Sequence, residues 1–535
     1  MKQAHLALTG EEHTSTTHKQ NFQKALEPIN FQLEDIRETY KDPLDGILKY
    51  NKQWRCTTFF WEGEWNITLE DISLKEAEIK EDMQKVFSLL IEIKDNVILP
   101  KSIKEAYIAS LTSMITRLGM FQNALRIEAE KSWFSLSDED RLQYNDTSLQ
   151  LLKKIYGERV SDTPLEVESL LFKMHSIFNE KKEHISDEEQ RIFQDFLYEF
   201  STRFWYHFDP ALKPKSPPKA TTLIPSWISI NKETLRDISQ HIIDLYKQFY
   251  KERFNNDALQ NREAVLDEGI DSINISGISE QLRIPESYED VNVQKVIETI
   301  ASHEIEQHLL HWASNNAFMW KGFSSGGYDF IAEGVAKINE DIATGKINSL
   351  EDLKNAKEGV DIGIVWVFIC ENYNFQDAVQ LLKIYKKLTT PWVADPAAEE
   401  FARKIVVRRK RFVSYDLPGS SPKDTLYQRG KNRVIDYMTE TWDLETAIQR
   451  YKDLNIFKLG PKEIHLIQQI KDELNITEDQ ILYPLFIGRI LSNKLSHTKW
   501  TVDKDFEKIA LNVKGMKGIG TDTKKNLVHI LQQLR

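Results

Sequence analysis

From about residue 30 to 208 apolar positions recur at helical intervals, with long charged amphipathic stretches over 75–95 and 103–131 and few helix breakers. Asp71 and Ser102 stand where N-caps would be useful. Ser137, followed by Asp138-Glu139-Asp140, is a further helix start, because a short side-chain oxygen accepts from the unpaired N–H groups of a first turn. The aromatic run Phe59, Phe60, Trp61 and Trp65 reads as packing between helices. Residues 209–226 carry five prolines and form the clearest linker. Beyond it another amphipathic helix is predicted over about 232–254. Asp271–Ser276 then alternates polar and apolar with β-branched residues and predicts a strand, punctuated by Gly277. Leu282-Arg283-Ile284, before Pro285, predicts a second strand at a sheet edge. A helix follows from about Val293 to Trp312, with Asp290 near its start. The texture stays helical from Gly345 to about 412, and a loop at Leu417–Pro422 precedes further helices. The pattern as a whole predicts an α+β fold, predominantly helical, with a small β-sheet.

Composition narrows the class. At 535 residues the chain can build several cores, and 41% hydrophobic with 28% charged residues is ordinary for a globular protein. The net charge of −12 argues against nucleic-acid binding, which needs a cationic surface. Cys56 and Cys370 stand far apart without metal-binding companions, so no disulfide framework is expected. The first residues are polar and unlike a signal peptide, and no apolar run approaches the ~18 residues of a membrane span. The expectation is a cytoplasmic protein with no membrane partner and a mobile tail over residues 1–25.

Chemistry concentrates in His303-Glu304-Ile305-Glu306-Gln307-His308. Histidines at i and i+4 lie about 40° apart around an α-helix and converge on one ion, whereas the i+5 pair here is separated by roughly 140°. A π-bulge would bring the two imidazoles back together. His303 and His308 can then supply two ligands of a zinc site, and Glu304 is the natural general base. A third ligand is expected from a separate element. Glu333 offers it on a helix whose Gly334 and Ala336 allow a close neighbour, after the glycine-rich Gly322–Tyr328 loop. Glu306 is expected at the exposed surface, and His311 as a packed histidine. The Gly518–Gly520 turn near the end reads as a helix-joining turn.

Three separated motifs, HEIEQH, GFSSGGYDFIAEGVA and SSPKDTLYQRG, follow one another in an order that resembles the tyrosine carboxypeptidase family. That family includes the microtubule-associated tyrosine carboxypeptidases and bacterial proteins named for a QEGLA motif. Its pattern is like HEIGTH, then GYD followed by QEGLA or EEGLA, then TKD-x-x-Y-x-x-G. His303, Glu304, Ile305 and His308 match the first motif. Gly327, Tyr328, Asp329, Glu333, Gly334 and Ala336 match the second, and Lys423, Asp424, Tyr427 and Gly430 the third. Ile155-Tyr156-Gly157 is similar to a Leu-Tyr-Gly segment of bacterial members. The likeness covers roughly residues 150–450. The chain departs from it where Gly-Thr becomes Glu306-Gln307, where Ala332 precedes Glu333, and where Val335 replaces Leu.

The resemblance implies a zincin-like active-site helix flanked by a small sheet, binding one Zn2+ through His303, His308 and Glu333, with Glu304 activating water. It implies a metallocarboxypeptidase whose partner is a peptide or protein C-terminus. A carboxypeptidase needs cations for that carboxylate. Arg408 and Arg411, at i and i+3 in the basic run 403–411, match an Arg-x-x-Arg pattern of the family, and Lys423 and Tyr427 are further candidates. The strand Leu282–Ile284 offers an edge for an extended peptide. The domains expected are an N-terminal helical region at 26–208, the linker 209–226, a metallopeptidase catalytic domain at 227–440 and a C-terminal helical extension at 441–535. The competing expectation is a non-catalytic, metal-binding regulatory or interaction protein of the same fold. A di-iron site from Glu304, His308 and Glu333 is disfavoured, because paired Glu-x-x-His motifs are missing.

Overall fold

The structure, a computed structural model, describes residues 29–32, 69–128, 136–204, 229–255, 257–270, 272–275, 281–288, 291–292, 296–319, 323–357, 360–441, 443–477, 480–482 and 484. The tail at 1–25, the linker 209–226, the aromatic run at 59–65 and the glycine turn at 518–520 lie outside them. The chain divides into two compact units, one formed from 1–216, 325–327 and 358–428, the other from 217–324, 328–357 and 429–535. The stretch 227–440 therefore contributes to both. The described residues are predominantly helical, with small β-sheets. No described helix is long and apolar enough to cross a membrane.

In the first unit the helices Leu69–Asp95 and Lys101–Glu128 pack together. Asp71 and Ser102 lie inside these helices rather than at their caps. The second helix starts directly after Pro100, whose carbonyl accepts from Lys104 N at 2.9 Å; proline has no N–H of its own to lose there. Ser137 does cap the helix Asp138–Tyr156, its side chain accepting from Asp140 N. The core of this unit gathers the helices Pro164–Lys181, Asp187–Phe204, Ile362–Asn372, Phe375–Thr389 and Asp395–Arg409. Ile362–Asn372 is apolar on nearly every side, and Ile364, Val365, Val367, Phe368, Ile369 and Cys370 are all buried. A helix without a polar stripe belongs in an interior.

The second unit begins with β1, Ser229–Ile230, and the amphipathic helix Lys232–Phe254, capped by Asn231 and closed by the left-handed Asn255. Three strands follow, β2 (Ala264–Asp267), β3 (Asn274–Ile275) and β4 (Leu282–Pro285), in the order β2-β4-β3. A fifth, Val291–Asn292, pairs antiparallel with β1. The expected edge strand is the central one: β4 runs parallel to β2 and antiparallel to β3. Leu282 and Ile284 are fully buried while Arg283 pairs with Asp267 at 2.8 Å. Pro285 stands at the end of the ladder, opposite Asp267, where a missing N–H costs least. With a partner on each side, β4 is not an edge on which a peptide could add. The core of this unit packs the sheet, the helix Lys232–Phe254 and the histidine-bearing helix around Ile300, Ile305, Leu309, Val335 and Ile338.

Candidate metal centre

The segment Val296–Leu309 is a π-helix, continued by the α-helix Leu310–Phe318. A turn closed by i→i+5 hydrogen bonds brings residues five apart onto one side. His303 and His308 are such a pair, and their ring centroids lie 4.9 Å apart. The sequence called for a local bulge; the structure widens the whole segment. It is also buried nearly all round, from Ile300 through Leu310. Glu306, expected at the surface, is only 1% exposed and accepts a hydrogen bond from Tyr246. Its exposure was inferred from an α-helical face that does not exist here. His311 is packed as expected, buried against the Tyr328 ring, and burial above all lowers its pKa to about 3, so its ring is neutral.

Glu333 reaches the pair from the helix Tyr328–Ala343. Its Oε2 lies 3.4 Å from His303 Nε2 and 3.8 Å from His308 Nε2, yet among the described residues this buried oxygen has no partner of hydrogen-bond geometry. The three ligand atoms lie within 4.8 Å of one another and could hold a metal ion. A tetrahedral ion with bonds of about 2.1 Å separates its ligands by about 3.4 Å, close to both edges at Glu333. Two imidazoles and a carboxylate aimed at one point, one oxygen otherwise unsatisfied, fit a divalent cation of borderline softness.

The charges agree with that fit. Burial by itself would lower the pKa of His303, but the carboxylates of Glu333 and Glu340, with Glu304 nearby, outweigh it and hold it up to about 10. Burial would raise Glu333, and the two facing imidazoles instead keep it well below the usual carboxylate range. Glu304, 7% exposed, is pushed up, chiefly by burial and against the pull of the two histidines.

Glu340 was not anticipated from sequence. Its Oε1 lies 2.7 Å from His303 Nδ1, and Lys337 binds its other oxygen. A carboxylate on Nδ1 fixes the ring and leaves Nε2 to face Glu333. The signal was present, since Glu340 follows Glu333 by seven residues, two turns along one helical face. Gly334 did its expected task. A Cβ on Gly334 would meet Gly430 O at 2.4 Å, so the Glu333 helix crosses its neighbour at backbone contact.

The expected substrate contacts belong to the other unit. The helix ends at Arg409, so Arg411 is beyond it and does not share a helical face with Arg408. Arg408 donates to Asp424 at 2.7 Å, and buried Lys410 donates to Leu417 O and Gly419 O, which explains much of the basic run as local bracing. Arg411 and Lys423 are exposed, and Tyr427 is half-buried. Compared with known proteins, the chain matches no family model, no curated protein and no solved structure.

Proposed function

We propose that the protein is a zinc-dependent peptidase of the zincin-like kind, acting in the cytoplasm as a carboxypeptidase on a peptide or protein C-terminus. The observation that carries this reading is the convergence of Glu333, from the helix Tyr328–Ala343, with His303 and His308 of a π-helix that also presents Glu304. When bound, zinc supplies a Lewis acid that polarises the scissile carbonyl and acidifies water. His303 and His308 would hold it through Nε2, with Glu340 orienting the first ring, and Glu333 would contribute a carboxylate oxygen. Glu304 takes the proton of the attacking water and returns it to the leaving amine. The carboxypeptidase class rests on the order of the three motifs shared with the tyrosine carboxypeptidases, and zinc rests on the donor set.

The test measures metal content in the purified protein and release of residues from a peptide library with free and amidated C-termini. Stoichiometric zinc, release from free C-termini and loss of at least about a hundredfold in rate in Glu304→Gln are expected. Cleavage of amidated peptides at equal rate would make it an endopeptidase. Bound metal without Glu304-dependent cleavage would assign the site to a regulatory protein.

A further inference from the structure

Long π-helices are rare, and a 14-residue one needs something outside itself to hold it. The hold lies where the chain departs from the related motif, at Glu306-Gln307. Asn339, six residues after Glu333, donates through Nδ2 to Ser302 O at 3.2 Å and to Gln307 Oε1 at 3.5 Å. Ser302 and Gln307 are five residues apart, the same spacing as His303 and His308, and each directly precedes one of the histidines. Tyr451 donates its hydroxyl to Asn339 Oδ1 at 2.9 Å, which fixes the carboxamide the right way round. Gln307 Nε2 in turn faces His311 Nδ1 at 3.3 Å, and Tyr246 holds Glu306 on another side. Ser302, Glu306, Gln307, His311, Asn339 and Tyr451 are all buried, at 1% exposure or less. Buried polar groups in such a network lose heavily when one partner is displaced.

We propose that Asn339 sets the helical register of the metal-binding segment, by bridging one π-turn between Ser302 and Gln307, and so positions His303 and His308. In an α-helix residues 302 and 307 would stand roughly 140° apart around the axis, and Gln307 would turn away from Asn339. The bridge is complete only in the widened form. Asn339 and Gln307 are thus positioning residues, and the larger Glu306-Gln307 pair is an alternative means of holding the motif open, not a sign of decay. The consequence for the metal rests on the metal-binding reading above; the register lock itself does not.

Two readouts separate them. In metal-free protein, hydrogen exchange of the amides of His303–Leu309 is compared between wild type, Asn339→Leu and Gln307→Met, with the amides of Lys232–Phe254 as the control for folding. Exchange roughly tenfold faster in the variants, with the control helix unchanged, is expected. Cobalt(II) titration then reports the coordination. The variants should bind roughly 10- to 100-fold more weakly and lose the intense visible absorption of a four-coordinate site. Asn339→Asp keeps the acceptor for Tyr451 but not the donor to Ser302, and should resemble Asn339→Leu. Unchanged exchange and an unchanged cobalt spectrum in Asn339→Leu and Gln307→Met would overturn the proposal. If Asn339→Leu does not fold, Gln307→Met decides it. If wild type takes up no cobalt, the metal reading fails, and exchange alone decides the lock.

Discussion

His303 shows how much one side chain's neighbours matter. Its carboxylate partners raise its pKa from 6.5 to about 10 in the folded state. The sign follows from linkage: a group whose folded pKa is raised contributes stability fully below its unfolded value and loses it as pH rises through the folded one. For Glu333, depressed below 4.5, the contribution is present above that value and lost on acidification. Metal-free protein should therefore show a falling Tm between pH 6.5 and 10, which a thermal melt at stepped pH would reveal; a flat profile would refute the ion-pair description. Because a proton must leave His303 when a metal arrives, metal affinity should rise over the same window. Replacing the ring's other partner, Glu340→Ala, should weaken zinc binding roughly 10- to 100-fold in a competition titration, and Glu340→Gln, which keeps an acceptor for Nδ1, less.

Between elements, the approach of the Glu333 helix to Gly430 is a tight constraint on the site. A Cβ at Gly430 would meet Phe330 O at 2.2 Å, and one at Gly334 would meet Gly430 C and O at 2.4 Å. Those are backbone atoms, which cannot swing aside as a flexible side chain would. Gly334→Ala and Gly430→Ala should each cost about 1–3 kcal/mol in a denaturant melt, the usual range for overpacking. Gly334→Ala should also weaken metal binding, because the helix it displaces carries Glu333, Asn339 and Glu340. Full stability in both variants would mean that the helices separate without penalty. The role of Gly334 was legible from its size beside a candidate ligand. The identity of its neighbour was not, because Gly430 lies almost a hundred residues further on.

At the level of the whole molecule the two units offer separate probes. Cys370 is fully buried in the first, and burial raises its thiol pKa to about 12. In a Cys56→Ser background a thiol reagent near pH 8 should modify Cys370 only as fast as the surrounding helices open. Rapid modification of native protein would show that this core is not closed. The second unit carries the group His303, His308 and Glu333 that could hold a metal ion, and a bound ion would report on it. Zinc at a hundred times its dissociation constant should add about 2.7 kcal/mol of stability, seen as a Tm that rises with zinc and falls with chelator. Glu333→Gln should abolish that rise.

Local chemistry made several features readable in advance. Ser137 caps its helix because a short oxygen three residues before an N–H needs nothing from elsewhere, and the helix over 232–254 follows from its amphipathic period. The residue set His303, His308 and Glu333 was legible for the same reason, since imidazoles and carboxylates are side chains that can hold a metal ion in any fold. Spacing along the chain could say only that an ordinary helix would set the histidines apart. What turned them together was packing: Asn339 and Tyr451 lie far along the chain, and their hydrogen bonds exist only after folding. The same holds for Glu306, buried by a tyrosine sixty residues away, and for β4, whose second neighbour made it central. Composition and period specify which face an element can bury, whereas its neighbours and the helical register in which they hold it emerge from contacts between residues remote in sequence.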